Sequence, residues 1–78
     1  MRSLSWNAAV PDHPELANDL KRRRNDAKFT QAQLAEKIGV SRKTINTIEN
    51  GVFIPSTILA LKLADALNAS VEELFRLR

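Results

Sequence analysis

Residues 30–51 read TQAQLAEKIGVSRKTINTIENG. Thr30 followed three residues later by Gln33 is a capping box, and Phe29 and Leu34 occupy the flanking staple positions, so a helix starts at Gln31 and runs to Ile38. Gly39 ends it, because the left-handed backbone that closes a helix is cheap for glycine alone. Ser41 caps the next helix, with Val40 and Ile45 as a second staple. Within that helix Ile45 and Ile48 point inward, while Arg42, Lys43, Asn46 and Thr47 fall on the opposite side. Asn50 and Gly51 stop it.

Working outward, Asp12 or His13 precedes Pro14, which suits a first helical turn, and Leu16, Leu20 and Ala27 mark the buried face of a helix over about 14–27. Downstream, residues 52–55 form a short apolar connection and Ser56 caps a helix that reaches about Asn68. That helix is apolar nearly all round, which places it in the middle of the fold with Leu61 and Leu67 buried. Ser70 and Glu73 form another capping box, opening a last short helix that bears Val71, Leu74, Phe75 and Leu77. No segment of any length alternates strictly between apolar and polar residues, so the expectation is all-α, with five short helices and no strand.

At 78 residues, this is the length of one small domain. Such a chain buries only about 60% of its extended surface on folding, which leaves one modest core and no deep active site. It contains no cysteine and one histidine, so thiolate metal sites, thiol nucleophiles and imidazole clusters are excluded. Its acids are scattered along helix surfaces, no nucleophile stands with a base, and no catalytic residue is expected. No apolar run approaches the ~20 residues needed to span a bilayer, and the start lacks a basic region followed by an apolar one, so a cytoplasmic protein is expected.

Charge is unevenly placed. Between residues 21 and 43, Lys21, Arg22, Arg23, Arg24, Lys28, Lys37, Arg42 and Lys43 stand against Asp26 and Glu36, a local balance of +6 in a chain whose net charge is +3. The flanks carry −2 and −1. A concentrated positive face attracts polyanions, and every phosphate it neutralises releases counterions.

Two short helices joined by a three-residue turn containing glycine make a helix-turn-helix arrangement, whose second helix enters the major groove of DNA. The exposed side of that second helix offers the side chains that read bases. Arg and Lys reach guanine O6 and N7, Asn pairs with adenine, and Thr meets an edge acceptor or a thymine methyl. Arg42 and Lys43 at a helix N-terminus oppose the helix dipole, a placement that makes sense with phosphates or bases opposite. The competing reading is a protein-interaction module, such as a coactivator or an antitoxin-like partner. That use calls for exposed Leu, Phe or Trp on this helix in place of Arg42 and Lys43.

Gln31 to Ser41 and Thr44 to Gly51 closely resemble the Cro and phage-repressor type of helix-turn-helix, the xenobiotic-response-element (XRE) family. The likeness continues through Phe53, Pro55, Ser56, Leu61, Lys62, Ala64, Leu67 and residues 70–75, and covers roughly residues 18–76. It implies a compact five-helix, lambda-repressor-like domain over 14–78, behind an extension over 1–13. The implied function is sequence-specific binding to a double-stranded DNA operator as a repressor, by a homodimer of prokaryotic or phage type acting at the nucleoid. By the same resemblance Gln31 anchors a phosphate, Arg42, Lys43 and Thr47 touch base edges with Ser41, Thr44 and Asn46 beside them, and Asn50 holds the backbone. Arg24 and Glu49 match an internal ion pair joining the first and third helices. The chain departs from the pattern at Arg23, where relatives often carry Leu, and at Lys28, in place of a frequent Gly. No cofactor, metal or small-molecule ligand is implied.

One recognition helix covers too few base pairs for genomic discrimination, so a two-fold dimer is expected, with half-sites about 34 Å apart. Its surface must avoid the basic block. Val71, Phe75 and Leu77 are the first candidates for it, with Trp6 and Val10 of the extension as an addition.

Overall fold

The computed structural model describes residues 15–78. The extension over 1–13, with Trp6, Val10 and the helix start at Pro14, lies outside the described residues. The chain runs β1 (Leu16–Asn18), α1 (Leu20–Asp26), α2 (Gln31–Ile38), α3 (Arg42–Glu49), α4 (Thr57–Ala66), α5 (Val71–Leu74) and β2 (Phe75–Leu77).

Helix starts and stops follow one local chemistry. The side chains of Thr30, Ser41, Ser56 and Ser70 each accept the backbone N–H three residues on, and Thr30 with Gln33 and Ser70 with Glu73 close reciprocal boxes. At the other end, α1 to α4 each finish on a residue of positive φ: Lys28 (64°), Gly39 (77°), Gly51 (74°) and Asn68 (53°). In each case the next N–H reaches back to a carbonyl five residues earlier, as Val40 does to Ala35 (2.9 Å) and Val52 to Thr47 (2.9 Å), which satisfies carbonyls the helix leaves open. Lys28 holds a conformation that costs a non-glycine residue about 1–2 kcal/mol.

The core gathers Leu20 from α1, Leu34, Ala35 and Ile38 from α2, Ile45 and Ile48 from α3, Ala60, Leu63 and Ala64 from α4, then Leu67, Leu74 and Phe75. Among the described residues no helix is long and apolar enough to cross a membrane.

The fold departs from the sequence expectation in four places. It is mostly helical but not strictly all-α, because β1 and β2 pair antiparallel with Leu16 opposite Leu77, Ala17 opposite Arg76 and Asn18 opposite Phe75. Residues 16–18 therefore do not belong to the first helix. The Asn18 side chain accepts the Leu20 N–H (2.8 Å) and the Asp19 N–H is spent on the Leu74 carbonyl (2.8 Å), so helical hydrogen bonding begins only at Leu20. Ala27, expected on the buried face, is exposed at the end of α1.

The second departure is in α4, whose buried stripe is Ala60, Leu63, Ala64 and, just past its last turn, Leu67. Leu67 is buried as expected, but Leu61 is 56% exposed and Ile58 69% exposed, because one helix turns only one face to so small a core. Third, α4 ends at Ala66, short of Asn68. Fourth, α5 stops at Leu74 and Phe75 enters the core at the start of β2, which leaves Leu77, 84% exposed, as the one fully free member of the C-terminal apolar set.

Ion pairs fasten the sheet to α1. Asp19 accepts from Arg22 (2.8 Å) and Arg76 (3.3 Å), and these bonds hold its carboxyl below the ordinary 3.8. Glu73 is held below 4.5 first by the Ser70 backbone N–H and then by Arg23. A carboxyl with a depressed folded-state pKa stabilises the fold above its unfolded value, and that stability is lost as pH falls through the folded value. The melting temperature should therefore fall as pH drops from about 4.5 toward 3, less steeply in Asp19→Asn. Thermal denaturation should also separate the two sides of α4. Leu63→Ala costs about 2–5 kcal/mol, whereas Leu61→Ala opens no cavity in the core and costs clearly less.

Candidate nucleic-acid interface

α2 and α3 meet at Gly39 and Val40, and α3 is held from behind. Arg24, buried among the core residues, donates from Nε to Glu49 Oε2 (2.6 Å) and from Nη2 to Glu49 Oε1 (3.2 Å), and its Nη1 donates to the Phe29 carbonyl (2.8 Å). The two side chains are 9% and 2% exposed. This is the internal pair expected from the resemblance. Breaking such a pair strands a buried charge, at a cost of about 3–5 kcal/mol. Asn18 adds a second tie, its Nδ2 donating to the Ile48 carbonyl (2.6 Å) in the last turn of α3.

The opposite face of α3 is open. Arg42 and Lys43 are exposed in its first turn and have no carboxylate partner among the described residues. One turn on, Asn46 is exposed and Thr47 half-buried, with the Thr47 hydroxyl donating back to the Lys43 and Thr44 carbonyls (both 3.0 Å). Ser41 Oγ accepts the Thr44 N–H (3.2 Å) and lies 3.0 Å from Thr44 Oγ1, so these two hydroxyls are engaged with each other.

Gln31 and Asn50 join this face through Asn46. Gln31 Nε2 donates to Glu49 Oε1 (3.0 Å) and to Asn46 Oδ1 (3.2 Å), and Asn50 Nδ2 donates to the same Asn46 oxygen (3.2 Å). Nothing in the sequence signalled that Gln31 and Asn46, fifteen positions apart on different helices, would touch. Asn18 was likewise missed, because its role depends on β1, which no local pattern announced.

The basic run of α1 is not a free positive strip. Arg24 is in the buried pair, Arg23 donates to Glu73 (2.9 Å), and Arg22 meets Asp19 (2.8 Å) and Asp26 (3.6 Å), so of the four only Lys21 has no acidic partner among the described residues. Through its bond to Glu73, Arg23 ties α1 to α5. Lys37 lies over the Phe29 ring, 5.8 Å from its centroid.

A sequence profile described as helix-turn-helix matches residues 20–74. The uncharacterized HTH-type transcriptional regulator YgzD of Bacillus subtilis is 37% identical over 60 residues, 77% of this chain and 91% of that protein. The uncharacterized HTH-type transcriptional regulator MJ0272 of Methanocaldococcus jannaschii is 43% identical over 60 residues, with the same shares of the two chains. The cryptic phage CTXphi transcriptional repressor RstR of Vibrio cholerae is 42% identical over 45 residues, 58% of this chain and 40% of that repressor. The matched residues run from the start of α1 to the end of α5 and so include the capped turn between α2 and α3, the buried pair and the open face of α3. The chain belongs to the helix-turn-helix family of transcriptional regulators, of the Cro and phage-repressor (XRE) type.

Proposed function

We propose that the chain is a sequence-specific repressor that lays α3 in the major groove of an operator as a homodimer. The observation that carries this reading is the pair of exposed cations, Arg42 and Lys43, which have no counter-charge among the described residues and stand at a helix N-terminus that favours anions. Nearby phosphates or guanine edges resolve that conflict. Arg42 and Asn46 stand one turn apart on the helix, as do Lys43 and Thr47, and these four are the direct reading set. Ser41, Thr44, Gln31 and Asn50 border it. The exposed face of α3 carries no large apolar side chain of the kind a protein partner would grip, which favours the DNA reading over the interaction module.

A dimer needs an apolar surface clear of the reading face. The C-terminal set no longer supplies it, since Phe75 is core. Val52, Phe53, Ile54, Ile58 and Leu61 are all exposed, and residues 52–61 contain no charged side chain. Beside them runs a shallow apolar groove lined by Leu16, Pro55, Val71 and Phe75. This surface starts directly after α3, so a two-fold pairing through it sets two recognition helices side by side. A second copy fits it because two uncharged faces meet without the repulsion that two basic ones would feel.

Binding to a selected duplex should weaken with salt, the logarithm of the constant falling by ~0.9 per phosphate neutralised. Arg42→Ala should cost about 1–3 kcal/mol and relax preference at one base pair. Salt-independent association, or no association with any duplex at low salt, contradicts the reading. Sedimentation should show Leu61→Glu monomeric and Leu77→Glu dimeric like the parent. An intact protein that stays monomeric on its operator rules the dimer out.

A further inference from the structure

The chain of hydrogen bonds that ends at Asn46 has a fixed direction. Glu49 is a carboxylate held by Arg24 and can only accept, so the Gln31 amide must turn its nitrogen toward it. That nitrogen has a second hydrogen, which it gives to Asn46 Oδ1. Asn50 Nδ2 donates to the same oxygen. An amide oxygen has two lone pairs, and here both are filled by side chains of this protein. Among the described residues the Asn46 amide nitrogen meets no acceptor, and the residue is exposed.

An asparagine recognises adenine by accepting from N6 and donating to N7 together. Asn46 has only donors to offer. We infer that Asn46 reads an acceptor-only base edge, guanine O6 and N7 before any other, and that Gln31 is a positioning residue that sets this preference by occupying the Asn46 oxygen. The inference rests on the proposed placement of α3 in the major groove. It differs from the usual pairing of asparagine with adenine, and it gives Gln31 a role beyond holding a phosphate, since both of its donor hydrogens are committed inside the protein.

The test is selection of binding sites from a random duplex pool by the intact chain, by Asn46→Ala and by Gln31→Met, which keeps the length of the side chain and removes its donors. Asn46→Ala identifies the position in each half-site whose preference it erases. In the intact chain that position should be guanine, favoured over adenine by roughly 5- to 100-fold, the discrimination typical of one good base contact. Gln31→Met should move the same position several-fold toward adenine while other positions keep their preferences and the melting temperature matches the parent. Adenine at that position in the intact chain overturns the inference, as does a Gln31→Met variant that weakens all sequences evenly, the mark of a phosphate contact.

A second measurement needs no DNA. In nuclear magnetic resonance spectra of the free chain the Gln31 side-chain amide protons should exchange more slowly than an exposed amide, and Asn46→Ala should shift them. Exchange at the rate of an exposed amide overturns the hydrogen-bond chain itself. A pool that yields no enriched duplex, together with slow Gln31 exchange, would instead remove the DNA reading and leave the hydrogen-bond chain standing.

Discussion

The contact between Arg24 and Glu49 is the constraint around which the helix-turn-helix is arranged. Arg24 leaves the surface because its guanidinium finds three acceptors at once, two on Glu49 and one on the Phe29 carbonyl, so each of its three nitrogens donates in a nearly dry site. Glu49 in turn is the last residue of α3, and α3 is therefore pinned to α1 at one end while Ile45 and Ile48 bury its inner face. With the back of the helix committed in this way, substitutions on its outer face leave the core undisturbed. The same carboxylate also orients Gln31, so a buried charge pair reaches through one amide to the outer face of α3.

Two surfaces of opposite character follow one another along the chain. The outer face of α3 is cationic and polar, and ten residues that follow Gly51 carry no charge at all. Val52, Phe53, Ile54, Ile58 and Leu61 are all exposed along this stretch, and a large open apolar patch is a common mark of an interaction surface. In the proposed dimer the placement of this face directly after α3 would couple assembly to recognition by geometry, because a second copy docked there sets where the next α3 stands.

Much of this was legible in the residues because it is governed by local chemistry. Thr30, Ser41, Ser56 and Ser70 announce helix starts through side chains that serve their own backbone, and Gly39 and Gly51 announce ends through a backbone angle that other residues resist. What stayed hidden depends on partners distant in sequence. Leu16 to Asn18 look helical until Phe75 to Leu77 arrive to pair with them. The arginines of α1 look like a phosphate-binding strip until Glu73, Asp19 and Glu49 are seen opposite. Leu61 looks like core because α4 is apolar all round, and periodicity cannot choose a face when every face qualifies. For the reading face, the identity of the exposed residues was evident, but not the engagement of Asn46 by Gln31, which exists only once α2 and α3 cross.

The most direct measurement is a crystal structure of the intact chain on a duplex it has selected. The account predicts α3 lying in the major groove with Arg42, Lys43, Asn46 and Thr47 facing base edges and phosphates, and the contact between Arg24 and Glu49 unbroken behind it. A complex in which α3 faces away from the duplex, with DNA held by another surface of the chain, would contradict it.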